Sequence, residues 1–146
     1  MLSWLAKRLI SYNMTRLNAG DARPTLRLDA PDVQMHFPGR SSWATHLRGR
    51  DEHARWLDRF VRAGIRIFPD EVVIKGFPWR QTVCVRGHDH LRADGELVYE
   101  NRYVIWGQLV WGRLKEYEVY EDTEKAEAFD RWLSEHEAGR SAALAG

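Results

Sequence analysis

With one cysteine, Cys84, the chain cannot close a disulfide on itself, so the sequence suits a reducing compartment and we expect a cytoplasmic protein. Net charge is nearly absent too. Lys and Arg together number 22 against 21 Asp and Glu, which leaves no electrostatic case for a nucleic-acid partner. No apolar run approaches the roughly 18 residues of a membrane span, so no membrane partner is expected. The opening stretch MLSWLAKRLISYNM sets Lys7 and Arg8 amid its apolar residues and lacks a small-residue cleavage site, unlike a signal peptide. No glycine-rich phosphate cradle and no ligand cluster is visible, and neither cofactor nor metal is expected. His88 and His90 share a strand face, but two imidazoles beside a turn make a poor metal site. Repeats and linkers are missing as well. We therefore expect one domain over residues 1–136 and a disordered tail over 137–146.

What is abundant is aromatic and apolar. Seven Trp and 44% hydrophobic residues suffice for a sizeable core, and the tryptophans hint at a large aromatic-lined interior or a sticky interface. The chain is organised around Leu97–Asp122, read as two long strands joined through Trp106–Gly112. Residues 2–18 carry apolar positions at helical spacing, with Gly20 placed to cap them. A short helix follows within 21–30. Asp32–Phe37 alternates, with Val33, Met35 and Phe37 on one face and Gln34 and His36 on the other. A polar loop then runs to Gly49. Residues 50–63 form an amphipathic helix capped by Gly64, with Trp56, Leu57, Phe60 and Val61 on its apolar side. Strands are expected over 65–75 and 81–91, the latter ending in an Asp94-Gly95 hairpin turn. A closing helix begins at Asp122 or Thr123. Helices early and strands late argue for α+β, with a curved, mostly antiparallel sheet covered by helices on one face.

Several short stretches resemble a known group in order and spacing. Leu17-Asn18-Ala19-Gly20-Asp21 is similar to the first-helix junction of ketosteroid isomerases and other members of the nuclear transport factor 2 superfamily. His36-Phe37-Pro38-Gly39-Arg40-Ser41, followed by Arg48-Gly49-Arg50, resembles its SnoaL-like branch. Gly112-Arg113-Leu114 leading to Tyr120-Glu121-Asp122-Thr123 resembles that branch's terminal strand. The resemblance covers about residues 2–136 and implies a cone-shaped α+β barrel of the cystatin-like kind with an apolar pocket. It implies cofactor-free isomerase or cyclase chemistry on, or simple binding of, a small apolar carbonyl- or ring-bearing molecule. A non-catalytic binding or assembly module is the alternative, since fold alone does not give function.

The resemblance places the general base at His36, a residue that could equally be a strand-end histidine bonded to backbone. It places one oxyanion donor at Asn13 or Tyr12 and another at Asn101. Trp56, Phe60, Tyr103 and Trp106 are read as pocket wall or core, and Tyr99 with Asn101, two apart on one strand face, as groups that orient a ligand carbonyl or else bond structurally to the backbone. Glu118 and Tyr120 are expected to reach the ligand from the last strand, where a one-residue slip would substitute Tyr117 and Val119. Cys84 reads as an inert core thiol. If Tyr99, Asn101 and Tyr103 face the pocket, then Val98, Val104 and Trp106 face outward, and a homodimer through the sheet is expected to cover them.

Overall fold

Apolar residues at helical spacing give α1 (Leu2–Asn18), and the chain must turn sharply after it. Gly20, at φ 87°, allows a Schellman closure in which the Gly20 amide donates to Leu17 and the Asp21 amide to Arg16. Then come α2 (Arg23–Leu28), β1 (Asp29–Phe37), β2 (Thr45–Arg48) and α3 (Arg50–Ala63). The chain closes with β3 (Arg66–Phe77), β4 (Arg80–Ala93), β5 (Glu96–Val110), β6 (Arg113–Glu121) and α4 (Thr123–Ala145). This computed structural model describes residues 2–145, with side chains for residues 4–136. The tail expected over 137–146 falls outside the described side chains, and helical backbone continues to Ala145.

The six strands form one mixed, unclosed and curved sheet in the order β2-β1-β6-β5-β4-β3. Only β1 and β6 run parallel; every other pair is antiparallel. Two points differ from the sequence reading. Residues 45–48, expected in a loop, form the edge strand β2 beside β1. Residues 106–110, expected in a connection, continue β5, and the turn is the dipeptide Trp111-Gly112 with both φ positive. That is the same two-residue geometry as Asp94-Gly95. Near Pro69, where a break is expected, β3 stays in the sheet and absorbs the proline with a register shift before Glu71.

Burial alternates along the long strands, so each has one face on the helices and one outward. Under α3 and α4 the core packs Met35, Phe37, Trp43, Phe60, Tyr99 and Phe129. Phe129 stacks on Tyr99 at 4.4 Å between ring centroids. Beneath α1 a second cluster holds Met14, Val72, Val83, Val85 and Tyr103. Tyr103 crosses over Gly87 to donate to the Phe68 carbonyl at 2.9 Å. A Cβ at Gly87 would lie 2.3 Å from the Tyr103 hydroxyl, so only glycine permits that crossing.

Candidate functional site

Between α1 and the concave face of the sheet lies a cavity of about 220 Å³. Since about 150 Å³ accommodates a benzene ring, the space suits a molecule of one or two rings. Its wall is aliphatic and aromatic, supplied by α1, α3 and β3–β6. Asn13, Thr25, Asp89, Tyr103, Tyr117 and Glu121 bring the polar side chains. The Asn13 amide oxygen is buried without a partner, a free group for a ligand to meet.

Asp89 and Glu121 are the two carboxyl groups in the cavity wall. Asp89 follows Val83, Val85 and Gly87 on the inward face of β4 and is 6% exposed. Burial pushes its carboxyl up to about 7, and one of its oxygens has no partner. Glu121 ends β6 opposite Tyr103, and its carboxylate accepts from the Tyr99 hydroxyl at 3.2 Å. Burial, and after it the charge of Asp89, push Glu121 up to about 8. Two acids buried in an apolar cavity, Glu121 raised further by the charge of Asp89, hold a proton near neutral pH. Asp89 also borders a polar outer groove with Arg92, Arg102 and Lys125, through which that proton can exchange with solvent.

A further polar chain supports the wall. Asp29 and His53 are fully buried, and His53 Nδ1–H donates to Asp29 Oδ2 at 2.6 Å. That fixes the other nitrogen as acceptor, and Nε2 takes the hydroxyl hydrogen of Tyr117 at 2.7 Å. A Cβ at Gly107, opposite Tyr117, would lie a tight 3.3 Å from the Tyr117 Cβ. The chain ties the start of β1, the first turns of α3 and the middle of β6 together behind the cavity.

Several expected site residues are placed elsewhere. His36 lies on the outer face beside His46, at 5.5 Å between centroids, and is no cavity base. The alternation of Val33, Met35 and Phe37 already required this, because a strand cannot turn His36 inward without exposing them. Tyr12 is 55% exposed, whereas Asn13 faces the cavity. Asn101 is buried, but its amide is consumed. It donates to the Tyr99 hydroxyl and the Asp122 carbonyl, and accepts from the Arg102 amide. Glu118 and Tyr120 point outward and bond to each other at 2.8 Å; the one-residue alternative, Tyr117 and Val119, lines the cavity. Trp56, Phe60 and Tyr103 do line it, and Tyr99 reaches Glu121 from its base. His88 pairs with Asp70, and His88 and His90 both stack on Phe68. Among the described residues, no three His, Cys, Asp or Glu side chains gather as metal ligands, and no helix is long and apolar enough to cross a membrane.

The sequence matches no protein-family profile and no curated protein. Solved structures are similar in fold. Bal32a, from a soil-derived mobile gene cassette, superposes with a TM-score of 0.73 at 18% identity over 88% of this chain and 98% of its own. A nuclear transport factor 2-like protein of unknown function from Burkholderia pseudomallei gives 0.66 at 23% identity, covering 81% and 91%. A Sinorhizobium meliloti protein proposed to be a polyketide cyclase gives 0.58 at 18% identity, covering 77% and 94%.

Proposed function

Given a cone of the nuclear transport factor 2-like, cystatin-like fold, we propose that this chain binds a small, mostly apolar carbonyl compound and moves a proton on it without a cofactor. The observation that carries this is the pair of buried acids, Asp89 and Glu121, in an otherwise apolar cavity. Asp89, with the lower pKa, is the base: its carboxylate takes a proton from carbon next to the carbonyl. Glu121, still protonated, donates its O–H to the oxygen as enolate charge develops. Return of the proton from Asp89 to a different carbon, with Glu121 taking its own back as the carbonyl re-forms, completes an isomerisation. In a cyclisation the enolate carbon attacks a second carbonyl, the Asp89 proton goes to the new alkoxide, and Glu121 recovers its proton as the first carbonyl re-forms. Asn13, whose amide oxygen is unpartnered, orients the ligand, and the Tyr117 ring forms part of the wall.

The test is deuterium uptake and double-bond migration in a cyclic β,γ-unsaturated ketone, followed by NMR in heavy water. Wild type should accelerate both, and Asp89→Asn and Glu121→Gln should each remove most of the acceleration. Rates equal to the buffer blank across a panel of ring ketones would end the enzyme reading. One observation favours a binding module instead: the Asn101 amide and the Tyr103 hydroxyl, both inward, are already spent on protein partners. In that case the same ketones bind, by calorimetry, without exchange.

We also propose the homodimer. Val73, Cys84 and Trp106 lie side by side across β3, β4 and β5 on the outer face, and Val73 and Trp106 are half exposed. Trp106→Glu should convert a dimer to a monomer in light scattering. A monomeric wild type at micromolar concentration contradicts it.

A further inference from the structure

The end of the cone where the cavity meets the hairpin tips carries a second feature, independent of the acid pair. Leu109, Gly112 and Leu114 of the β5–β6 hairpin, Ile74 of β3, and Ala6 and Leu9 of α1 all line the cavity. At the two hairpin tips the large apolar side chains face solvent. Trp111 is 72% exposed, Phe77 65% and Trp79 53%. These tips touch: the Trp111 amide donates to the Pro78 carbonyl, and Trp79 lies 6.4 Å from Trp111 and 4.8 Å from Phe77 between centroids. Helix α1 runs back along β3 from the Asn18–Ile67 contact. At about 1.5 Å per residue its first turn reaches the level of Ile74. There Trp4 and Leu5 are also exposed, with the Arg8 guanidinium 4.8 Å from the Trp4 ring.

Charge near the tips is mostly basic; Asp32 pairs with Lys115 of β6, and Glu116 follows it. Residues 4–20, 72–88 and 103–115 contain no Asp or Glu. Lys7, Arg8, Lys75, Arg80 and Arg113 lie in these stretches near the tips, and among the described residues none of them is paired with a carboxylate. Because the whole chain is nearly neutral, this cationic end is matched by acidic residues elsewhere. Exposed indole rings beside unpaired cations suit a phospholipid headgroup layer, where the ring sits at the interface and the cation meets phosphate. A second copy of the same end would bring like charges together.

From this we infer that the hairpin tips and the first turns of α1 dock on an anionic phospholipid bilayer, so that the cavity exchanges its apolar ligand with the lipid phase. The absence of a membrane-spanning helix bears on insertion, not on docking of an exposed rim.

The experiment is co-sedimentation of the full chain with vesicles of phosphatidylcholine alone and of phosphatidylcholine mixed with phosphatidylglycerol. Binding to the anionic vesicles should be at least about tenfold stronger and should fall with added salt. Trp79→Ala with Trp111→Ala should abolish it, as should Lys75→Glu with Arg80→Glu, while Leu97→Ala, exposed at the opposite, β4–β5 hairpin end of the sheet, should leave it intact. All these side chains are exposed, so unchanged thermal unfolding identifies variants that remain folded. Equal sedimentation with both vesicle types overturns the inference, as does binding that survives both double variants. Loss of self-association in the Trp79–Trp111 variant, without any vesicle binding by wild type, would assign the rim to a second copy instead. None of these outcomes depends on catalysis, so docking and the proton-transfer reading can fail separately.

Discussion

Replacing Asp89 with Asn should make the protein more stable at alkaline pH, an unusual direction for removing a buried polar group. The acid's ordinary value is 3.8 and burial raises it to about 7. The folded state therefore holds a proton that the unfolded chain releases. Stability linked to this group is fully present below about pH 4 and is lost as pH rises through about 7. At about 1.4 kcal/mol per pKa unit, the wild type loses up to about 4 kcal/mol by pH 8.5. Asparagine keeps the shape and cannot ionise, so Asp89→Asn should exceed wild type by about 2–4 kcal/mol there. At about pH 4.5 both are neutral and should agree within about 1 kcal/mol. For a chain of this size that is a rise in Tm of about 6–12 °C at the alkaline end. Calorimetric melts of both proteins across this pH range measure it directly. If Asp89→Asn is destabilised by the same amount at every pH, Asp89 is a paired, ionised carboxylate, and the reasoning about the acid pair is wrong.

The remaining predictions concern the groups around it. If the pair works as base and acid, kcat/KM should follow a narrow bell, rising through about 7 and falling through about 8. Glu121→Gln should remove the alkaline limb and leave the acidic limb, which the burial of Asp89 sets, in place. His53→Ala leaves the fully buried Asp29 carboxylate unpaired and should cost about 3–5 kcal/mol in urea unfolding; a loss under about 1 kcal/mol would mean that water replaces the imidazole. Gly87→Ala puts a Cβ 2.2 Å from the Phe68 carbonyl oxygen and should cost about 1–3 kcal/mol. Adding Tyr103→Phe should leave most of that loss in place, because the backbone clash remains.

The fold was legible because its signals are periodic and local. The apolar face of α3, the Gly20 and Gly64 caps and the Asp94-Gly95 turn each depend on neighbours in sequence, and each holds in three dimensions. Strand β2 was not legible: four residues, Thr45–Arg48, carry too few alternations to stand out, and their pairing is decided by β1. Trp56 and Phe60, read as pocket wall or core, lie at the cavity because they share a helix face with plainly apolar positions, whereas Asn13 was named through the resemblance alone.

The acid pair was missed for a reason that points back to its chemistry. On β4 the inward series Val83, Val85, Gly87 leads directly to Asp89, and on β6 Tyr117 and Val119 lead to Glu121. The period of two was visible in both places, but hydrophobic patterning treats a carboxylate as the end of an inward face. An inward acid reads as a strand ending, whereas here β4 continues past Asp89 to Ala93 and β6 reaches Glu121 in phase, so both carboxyls are drawn inward. Other expected residues fail on the same rule from the other side: His36, carried over by resemblance, and Glu118 and Tyr120, read from the last strand, have suitable chemistry on the wrong phase of their strands. Strand phase therefore outranks residue type in choosing candidates. An ionisable residue in phase with a run of buried neighbours has paid for desolvation, and only such a residue gains the shifted pKa that proton transfer at neutral pH requires.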